Sequence, residues 1–194
     1  MITIQDQGSN NQITIHPSYK VANFNLNISG NNNEIIFAAP AHAEPYSHIS
    51  ISVSGDNNIL HIGSVFINKL VIHCVNGLKC TIGDRNSFHD AYIATNEPSE
   101  VRIGDDCLFA NDVRIYPTDF HKILSSGKRI NDPEPIVIGN KVWLCERSLI
   151  LKGAEIGDGS VIGAAAVVAR KIPNSSVAVG NPATVVKSGI EWAV

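Results

Sequence analysis

Residues 138–168 read IGNKVWLCERSLILKGAEIGDGSVIGAAAVV, and a branched apolar residue returns there at every sixth position: Ile138, Leu144, Ile150, Ile156, Ile162 and Val168. Glycine follows several of them, as in Ile138-Gly139, Ile156-Gly157 and Ile162-Gly163. A six-residue period matches neither a 3.6-residue helix nor a free amphipathic strand. It matches a coil with three sides per turn, each side placing one branched side chain inward. The neighbours of each inward residue point outward, because side chains alternate along a strand. The small residue that follows suits a corner where the backbone bends sharply. Three such sides make an 18-residue turn, the interval from Ile138 to Ile156.

The same step extends upstream through Ile103, Phe109 and Ile115, and more loosely through Ile82, Phe88 and Ala94. Nearer the amino terminus, three segments starting at Gly8, Gly30 and Gly55 align without gaps. Each reads as an Asn-rich corner followed by an alternating strand. Asn and Gly tolerate left-handed backbone angles, and stacked Asn side chains can hydrogen-bond from coil to coil. Equivalent strand positions then fall at Ile15, Phe37, Ile62, Ile82, Ile103, Ile138 and Ile156. The interval from Ile103 to Ile138 exceeds one turn by 17 residues, and that excess lies in 119–135, DFHKILSSGKRINDPEP. A long polar insertion in an economical repeat is usually functional.

Composition narrows the class. The 194 residues fit one domain, and a net charge of -3 with 17% charged residues gives no basic patch for nucleic acid. Aromatics are scarce at 6%, as a narrow core of small branched residues requires. The opening MITIQDQGSNNQ lacks the pattern of a signal peptide, and no run approaches the roughly 18 apolar residues of a membrane span. Cys74, Cys80, Cys107 and Cys145 are scattered, with no zinc-type spacing, and are expected as reduced thiols in a soluble cytoplasmic protein.

The stretch VRIGDDCLFANDVRIYPTDFHKI, then RIN, then IVIGNKVWLCERSLILKGAEIGDGSVIGAAAVVARKIPNSSVAVGNPATVVK, resembles the hexapeptide-repeat acyltransferases. It is most similar to those that O-acetylate capsular and lipopolysaccharide sugars. The likeness is good over residues 82–188 and only general over the first 80, and the ending Val179-Gly-Asn-Pro-Ala183 is its most specific feature. It implies an all-β, left-handed parallel β-helix with one long extruded loop, a homotrimer with active sites between protomers, and acetyl-CoA as donor. The left hand comes from the resemblance alone, since parallel crossovers are otherwise right-handed. The expected organisation is a β-helix domain over 1–188, with irregular Asn-rich coils in 1–80, an active-site loop at 119–135 and a tail at 189–194.

Acyl transfer to a sugar hydroxyl needs a base, because an alcohol does not ionise at neutral pH. A histidine suits that task, with an unperturbed pKa of about 6.5. The resemblance places the base at His121, in Thr118-Asp119-Phe120-His121, with Asp119 either orienting the ring or capping the loop. Trp143 precedes an inward position and should face outward at a subunit boundary. By resemblance it lies near the base, where its indole N–H would meet the acetyl group or the acceptor. Cys145 and Glu146 replace smaller residues and would narrow the donor groove; Cys145 itself is read as structural rather than as a nucleophile. Gly163 and Ala164 are expected along the pantetheine arm, and Arg170, Lys171 and Lys187 at the phosphates. Arg170 and Lys171 read almost equally well as solvated charges. His89, one coil before the His121 loop, and Asn131 are candidates on the acceptor side. His16, His42, His48, His61 and His73 read as surface residues.

Three other functions compete. N-acylation of a nucleotide-linked amino sugar uses the same scaffold. A metal hydratase also uses this helix, but needs closely spaced histidines; no H-x4-H pair surrounds His89 or His121, so no metal is expected. The third is a non-catalytic scaffold.

Overall fold

The computed structural model describes residues 1–19, 23–40 and 48–193; His42 lies outside them. Among these residues there is no α-helix. Twenty-two short strands form three parallel faces of a prism: eight in the first face and seven each in the second and third. From Phe66 onward each turn visits the first, second and third face in order, so strands neighbouring in a face are about one coil apart in sequence. This is a single-stranded parallel β-helix.

The register is the one that the six-residue repeat dictates. On the second face, Ile15 pairs with Phe37, Phe37 with Ile62, and Ile62 with Ile82. The column continues through Ile103, Ile138 and Ile156, and ends on Ile172. On the third face Ile67, Phe88, Phe109, Leu144, Ile162 and Ala178 stack in the same way. Every member of these two columns except Ile15 is at most 3% exposed, so the core is a set of vertical stacks. The phenyl rings of Phe88 and Phe109 stack at 4.3 Å, a contact made by the vertical step between coils.

The corners correct one sequence expectation. Gly139 does not take a left-handed φ. It is required because a Cβ there would collide with Asp158 Oδ1 of the next coil, which accepts a hydrogen bond from Asn140 N at 2.7 Å. The same arrangement links Asp84 N to Asp105 Oδ1 and Asp105 N to Asn140 Oδ1, each at 2.9 Å, above Gly83 and Gly104. Glycine here makes room for a side-chain oxygen from the following turn. The left-handed angles fall one or two residues later, on Arg85, Asp106 and Lys141 as well as on Asn.

The Asn-rich corners join the first face to the second. Asn33 donates N–H and Nδ2–H to Asn11 Oδ1, and Asn58 donates the same pair to Asn33 Oδ1. Asn58 Oδ1 then accepts Leu78 N–H at 2.9 Å. Asn33 and Asn58 are buried, so this ladder satisfies donors that water cannot reach. Among the described residues the third face begins at Phe66, and Tyr19 packs edge-on against Phe24 and Phe37 near the amino-terminal end.

Cys74, Cys80 and Cys107 are buried and free; burial pushes the Cys80 and Cys107 thiols up to about 12. They are inert core residues at neutral pH. Asn58→Ala is expected to cost about 1–3 kcal/mol, because it strands the Leu78 N–H and the acceptor of Asn33. Asn23→Ala, at an exposed strand position, is the control. Equal denaturant midpoints for the two variants would remove the ladder as a source of stability.

Candidate active site

His121 sits where the first face turns into the second, on the same edge as the Asn ladder. Residues 113–116 end the first-face strand, and the second face resumes at Ile136–Ile138. The intervening segment forms a small antiparallel hairpin, Leu124–Ser125 against Lys128–Arg129, turned by Ser126 and Gly127 at positive φ. That pair of left-handed residues is what a two-residue hairpin turn demands.

Polar ties hold the base of this loop. Asn131 is 6% exposed and donates Nδ2–H to Asp119 Oδ2 and to the His121 carbonyl, each at 2.8 Å. Its Oδ1 accepts Ile123 N–H at 2.7 Å. Asp119 Oδ2 also pairs with Lys152 Nζ at 2.7 Å. Arg129 grips Glu97 with two bonds of 2.7 Å, joining the hairpin to the preceding coil. Asn96 Nδ2 donates to the Phe120 carbonyl, which lies beside the histidine.

These ties alter several expectations. Asp119 binds Lys152 and Asn131 rather than the imidazole, so it caps the loop. Asn131 has its side chain fully engaged inside the loop, which leaves it a positioning residue and not an acceptor ligand. His89 stands on the corner between the third and first faces, where its N–H bonds the Phe109 carbonyl. The residues stacked beneath the His121 corner are Thr95 and Asn96, so His89 lies on a different edge of the prism. The His121 ring is exposed and has no hydrogen-bond partner among the described residues. Of the other described histidines, His61 lies 2.6 Å from Glu34 and His16 accepts the Ser18 N–H, while His73 packs on Tyr92.

Trp143 projects from the third face, the side opposite the His121 edge, so one chain does not bring the two together. Its Nε1 is buried and unpartnered, and its ring packs at 5.9 Å against Trp192. Trp192 went unnoticed in the sequence. Ahead of the tail a last strand, Thr184–Ser188, pairs antiparallel with Ser176–Val179. Ile190 N–H then bonds the Ser175 carbonyl, and Trp192 Nε1–H the Lys141 carbonyl at 2.9 Å.

The donor-side candidates occupy two edges. Cys145, Gly163 and Ala164 line the third-to-first corner, where Ala164 is exposed and its N–H has no acceptor among the described residues. Burial raises the Cys145 thiol, which does not favour a nucleophile. Arg170 and Lys171 stand on the first-to-second edge, below His121; Lys171 faces Glu155 at 3.2 Å. Lys187 is exposed on the antiparallel last strand. Among the described residues no cluster of His, Cys, Asp or Glu is arranged to hold a metal.

Hydrogen bonds from Lys152 and Asn131 hold the Asp119 carboxyl below the usual carboxylate range, and the Arg129 guanidinium does the same for Glu97. A carboxylate with a depressed folded pKa stabilises above its unfolded value and loses that contribution as pH falls through the folded value. Loop protection in hydrogen exchange should therefore persist at pH 5–6 and fall below about pH 4. Asp119→Asn should weaken that protection already at pH 6; equal protection in the variant would show that the carboxylate does not hold the loop.

Comparison with known proteins places these features in a family. Residues 135–170 match the model described as bacterial transferase hexapeptide (six repeats). The polysialic acid O-acetyltransferase of Escherichia coli O1:K1 / APEC is 33% identical over 119 residues, 60% of this chain and 39% of that protein. The polysialic acid O-acetyltransferase of Neisseria meningitidis is 32% identical over 151 residues, 76% of this chain and 69% of that protein. The chain thus spans about two fifths of the first relative's length. The crystal structure of the polySia-specific acetyltransferase NeuO superimposes with a TM-score of 0.84 at 30% identity, covering 100% of this chain and 82% of that one. The shared architecture is the left-handed β-helix. On the register, the extruded loop and this likeness together, the chain belongs to the hexapeptide-repeat acetyltransferases, alongside those named for polysialic acid.

Proposed function

We propose that this chain is an O-acetyltransferase that moves an acetyl group from acetyl-CoA to a hydroxyl of a capsular polysaccharide sugar, with His121 as general base. The observation that carries the reading is an exposed, unpaired imidazole, held at the root of a polar-tied loop, in a chain similar to polysialic acid O-acetyltransferases over most of its length. In this reaction the His121 ring takes the proton of the sugar hydroxyl as its oxygen attacks the thioester carbon. The carbon–sulfur bond then breaks, and the imidazolium returns the proton to the departing thiolate.

The reading requires a homotrimer, and the surface supports one. On the third face the outward column is Phe66, Ser87, Leu108, Trp143, Val161 and Val177, almost wholly apolar. The last coils of the first face present Leu149, Leu151 and Val167. The second face presents charged pairs such as Glu100–Arg102. Two different apolar faces on one protomer suit a heterologous contact, which makes a three-membered ring where its rotation is a third of a turn. Such a ring sets the His121 edge of one protomer beside Trp143 of the next. Loop residues Ile123, Leu124 and Ile130, 53%, 60% and 63% exposed, have the same neighbour to cover them.

Across that cleft the exposed Ala164 N–H is the donor available to the pantetheine, and the Trp143 indole, its Nε1 buried beside Trp192, stands on the same side. Arg170, Lys171 and Lys187 supply charge for phosphates. Use of acetyl-CoA fits a cytoplasmic enzyme. Nothing in the geometry favours an amino acceptor over a hydroxyl.

His121→Ala should lower turnover of labelled acetyl-CoA with oligosialic acid by roughly 10²- to 10⁴-fold, with the trimer intact by light scattering. Unchanged turnover would refute the mechanism. Transfer only to amino sugars would replace it with N-acylation.

A further inference from the structure

The outward side chains of the first face change character along the prism axis. The early coils carry Asn25, Asn27, Ser50 and Ser52, and the last ones carry Leu149 and Val167. Between them lies an aromatic run on successive coils. His73 packs on Tyr92 at 5.6 Å, Tyr92 meets Tyr116 edge-on at 6.0 Å, and Tyr116 meets Phe120 edge-on at 5.4 Å. Arg114 crosses this run, with its guanidinium carbon 5.9 Å from the centre of the Tyr92 ring.

The run leads to the candidate base. Phe120 directly precedes His121 and has φ +61°, a left-handed angle that costs a bulky residue of order 1–3 kcal/mol. Its carbonyl is held by Asn96 and its ring by Tyr116. The backbone is therefore fixed in an uncommon state where the aromatic surface meets the histidine.

We propose that this column, from His73 through Tyr92, Arg114 and Tyr116 to Phe120, is an extended acceptor track for a carboxylate-bearing glycan chain. The proposal rests on the acetyltransferase reading and specifies how that site holds a polymer. Sugar rings offer flat C–H surfaces that pack on aromatic faces, and their hydroxyls suit the Ser and Asn side chains upstream. Parallel strands about 4.8 Å apart repeat the platform in equal steps, as a repeating chain does.

Arg114 supplies the complement to acid groups. Its Nε donates to Asp112 at 3.0 Å and its Nη1 to the Tyr116 hydroxyl at 3.3 Å, which leaves Nη2 of this half-exposed side chain without a hydrogen-bond partner among the described residues. The other charges on this face are accounted for: Lys69 is paired with Asp90 at 2.8 Å, and His48 and His73 are exposed. The unpartnered Nη2 of Arg114, unlike the paired Lys69, marks where an anionic unit would bind. A second copy of the chain is a poorer occupant, because the apolar surface suited to a protomer contact begins one coil later, at Leu149.

The test compares Tyr92→Ala and Arg114→Gln with wild type and with Arg102→Gln, a control on the second face of the adjoining coil. Acceptors are long-chain oligosialic acid and its monosaccharide. Both track variants should raise KM for the long chain about tenfold, a loss of about 1.4 kcal/mol, without moving KM for acetyl-CoA. In the His121→Ala background, labelled long chain should still bind in equilibrium dialysis, and Arg114→Gln should remove that binding. An unchanged long-chain KM in an active enzyme overturns the track but leaves the acetyltransferase reading. Wild type that acetylates other glycans and ignores every acidic one overturns the acidic-ligand assignment. Dissociation of the trimer by Tyr92→Ala makes this face a protomer contact and overturns the track as well.

Discussion

Every coil of this molecule has to sit on the one below it in register, with each inward side chain resting on its equivalent. That constraint governs the rest. It confines the interior to residues narrow enough to stack, and it brings consecutive corners so close that Gly139 faces the Asp158 carboxylate with no room for a Cβ. It makes stability a sum over neighbouring coils. It also leaves the two ends unlike the middle. Ile2 and Ile4 stand at inward positions of the first strand, on Phe24 and Leu26, yet are 39% and 45% exposed. At the other end, the antiparallel strand Thr184–Ser188 covers the last edge that parallel stacking would leave open.

The same constraint explains what the sequence made legible. A coil-to-coil register is a one-dimensional property, so the spacing of Ile62, Ile82, Ile103 and Ile138 located the second-face column and exposed the 119–135 insertion. Asn33 and Asn58 were readable as a ladder because their corners align without gaps. Roles that depend on which edge of the prism a residue occupies were not readable. His89 is about one coil from the His121 region in sequence, but it falls on another corner. Asn131 was chosen as a polar residue in a functional loop, whereas its three hydrogen bonds close that loop on itself. Trp192 follows the last repeat, and no periodicity says where a tail returns.

Edge assignment also separates the parts of the candidate site. His121 belongs to the edge between the first and second faces, and Trp143 to the opposite side. A rigid prism with a packed core cannot fold these two groups together. Chemistry that uses both is therefore chemistry between chains, and assembly and activity become one requirement. In the proposed trimer the apolar column that carries Trp143 would serve both ends, holding the neighbour and facing the neighbour's imidazole. The tail bears on the same surface: Trp192 packs on Trp143 while its own N–H is tied to the Lys141 carbonyl.

The insertion shows how a repeat acquires a site without losing its register. Seventeen extra residues leave between Tyr116 and Ile136, yet Val101 and Ile103 still pair with Ile136 and Ile138 as if nothing intervened. The loop contributes little apolar burial of its own; Ile123, Leu124 and Ile130 point to solvent. What fixes it is a set of charge-assisted bonds to adjacent coils, from Arg129 to Glu97 above and from Asp119 to Lys152 below. Such bonds are directional where apolar packing is not. They can hold a histidine backbone at one height on the edge while leaving the ring free. A rigid prism then supplies position, and the polar ties supply orientation, which is the division of labour that the proposed proton transfer from a held sugar hydroxyl to His121 would require.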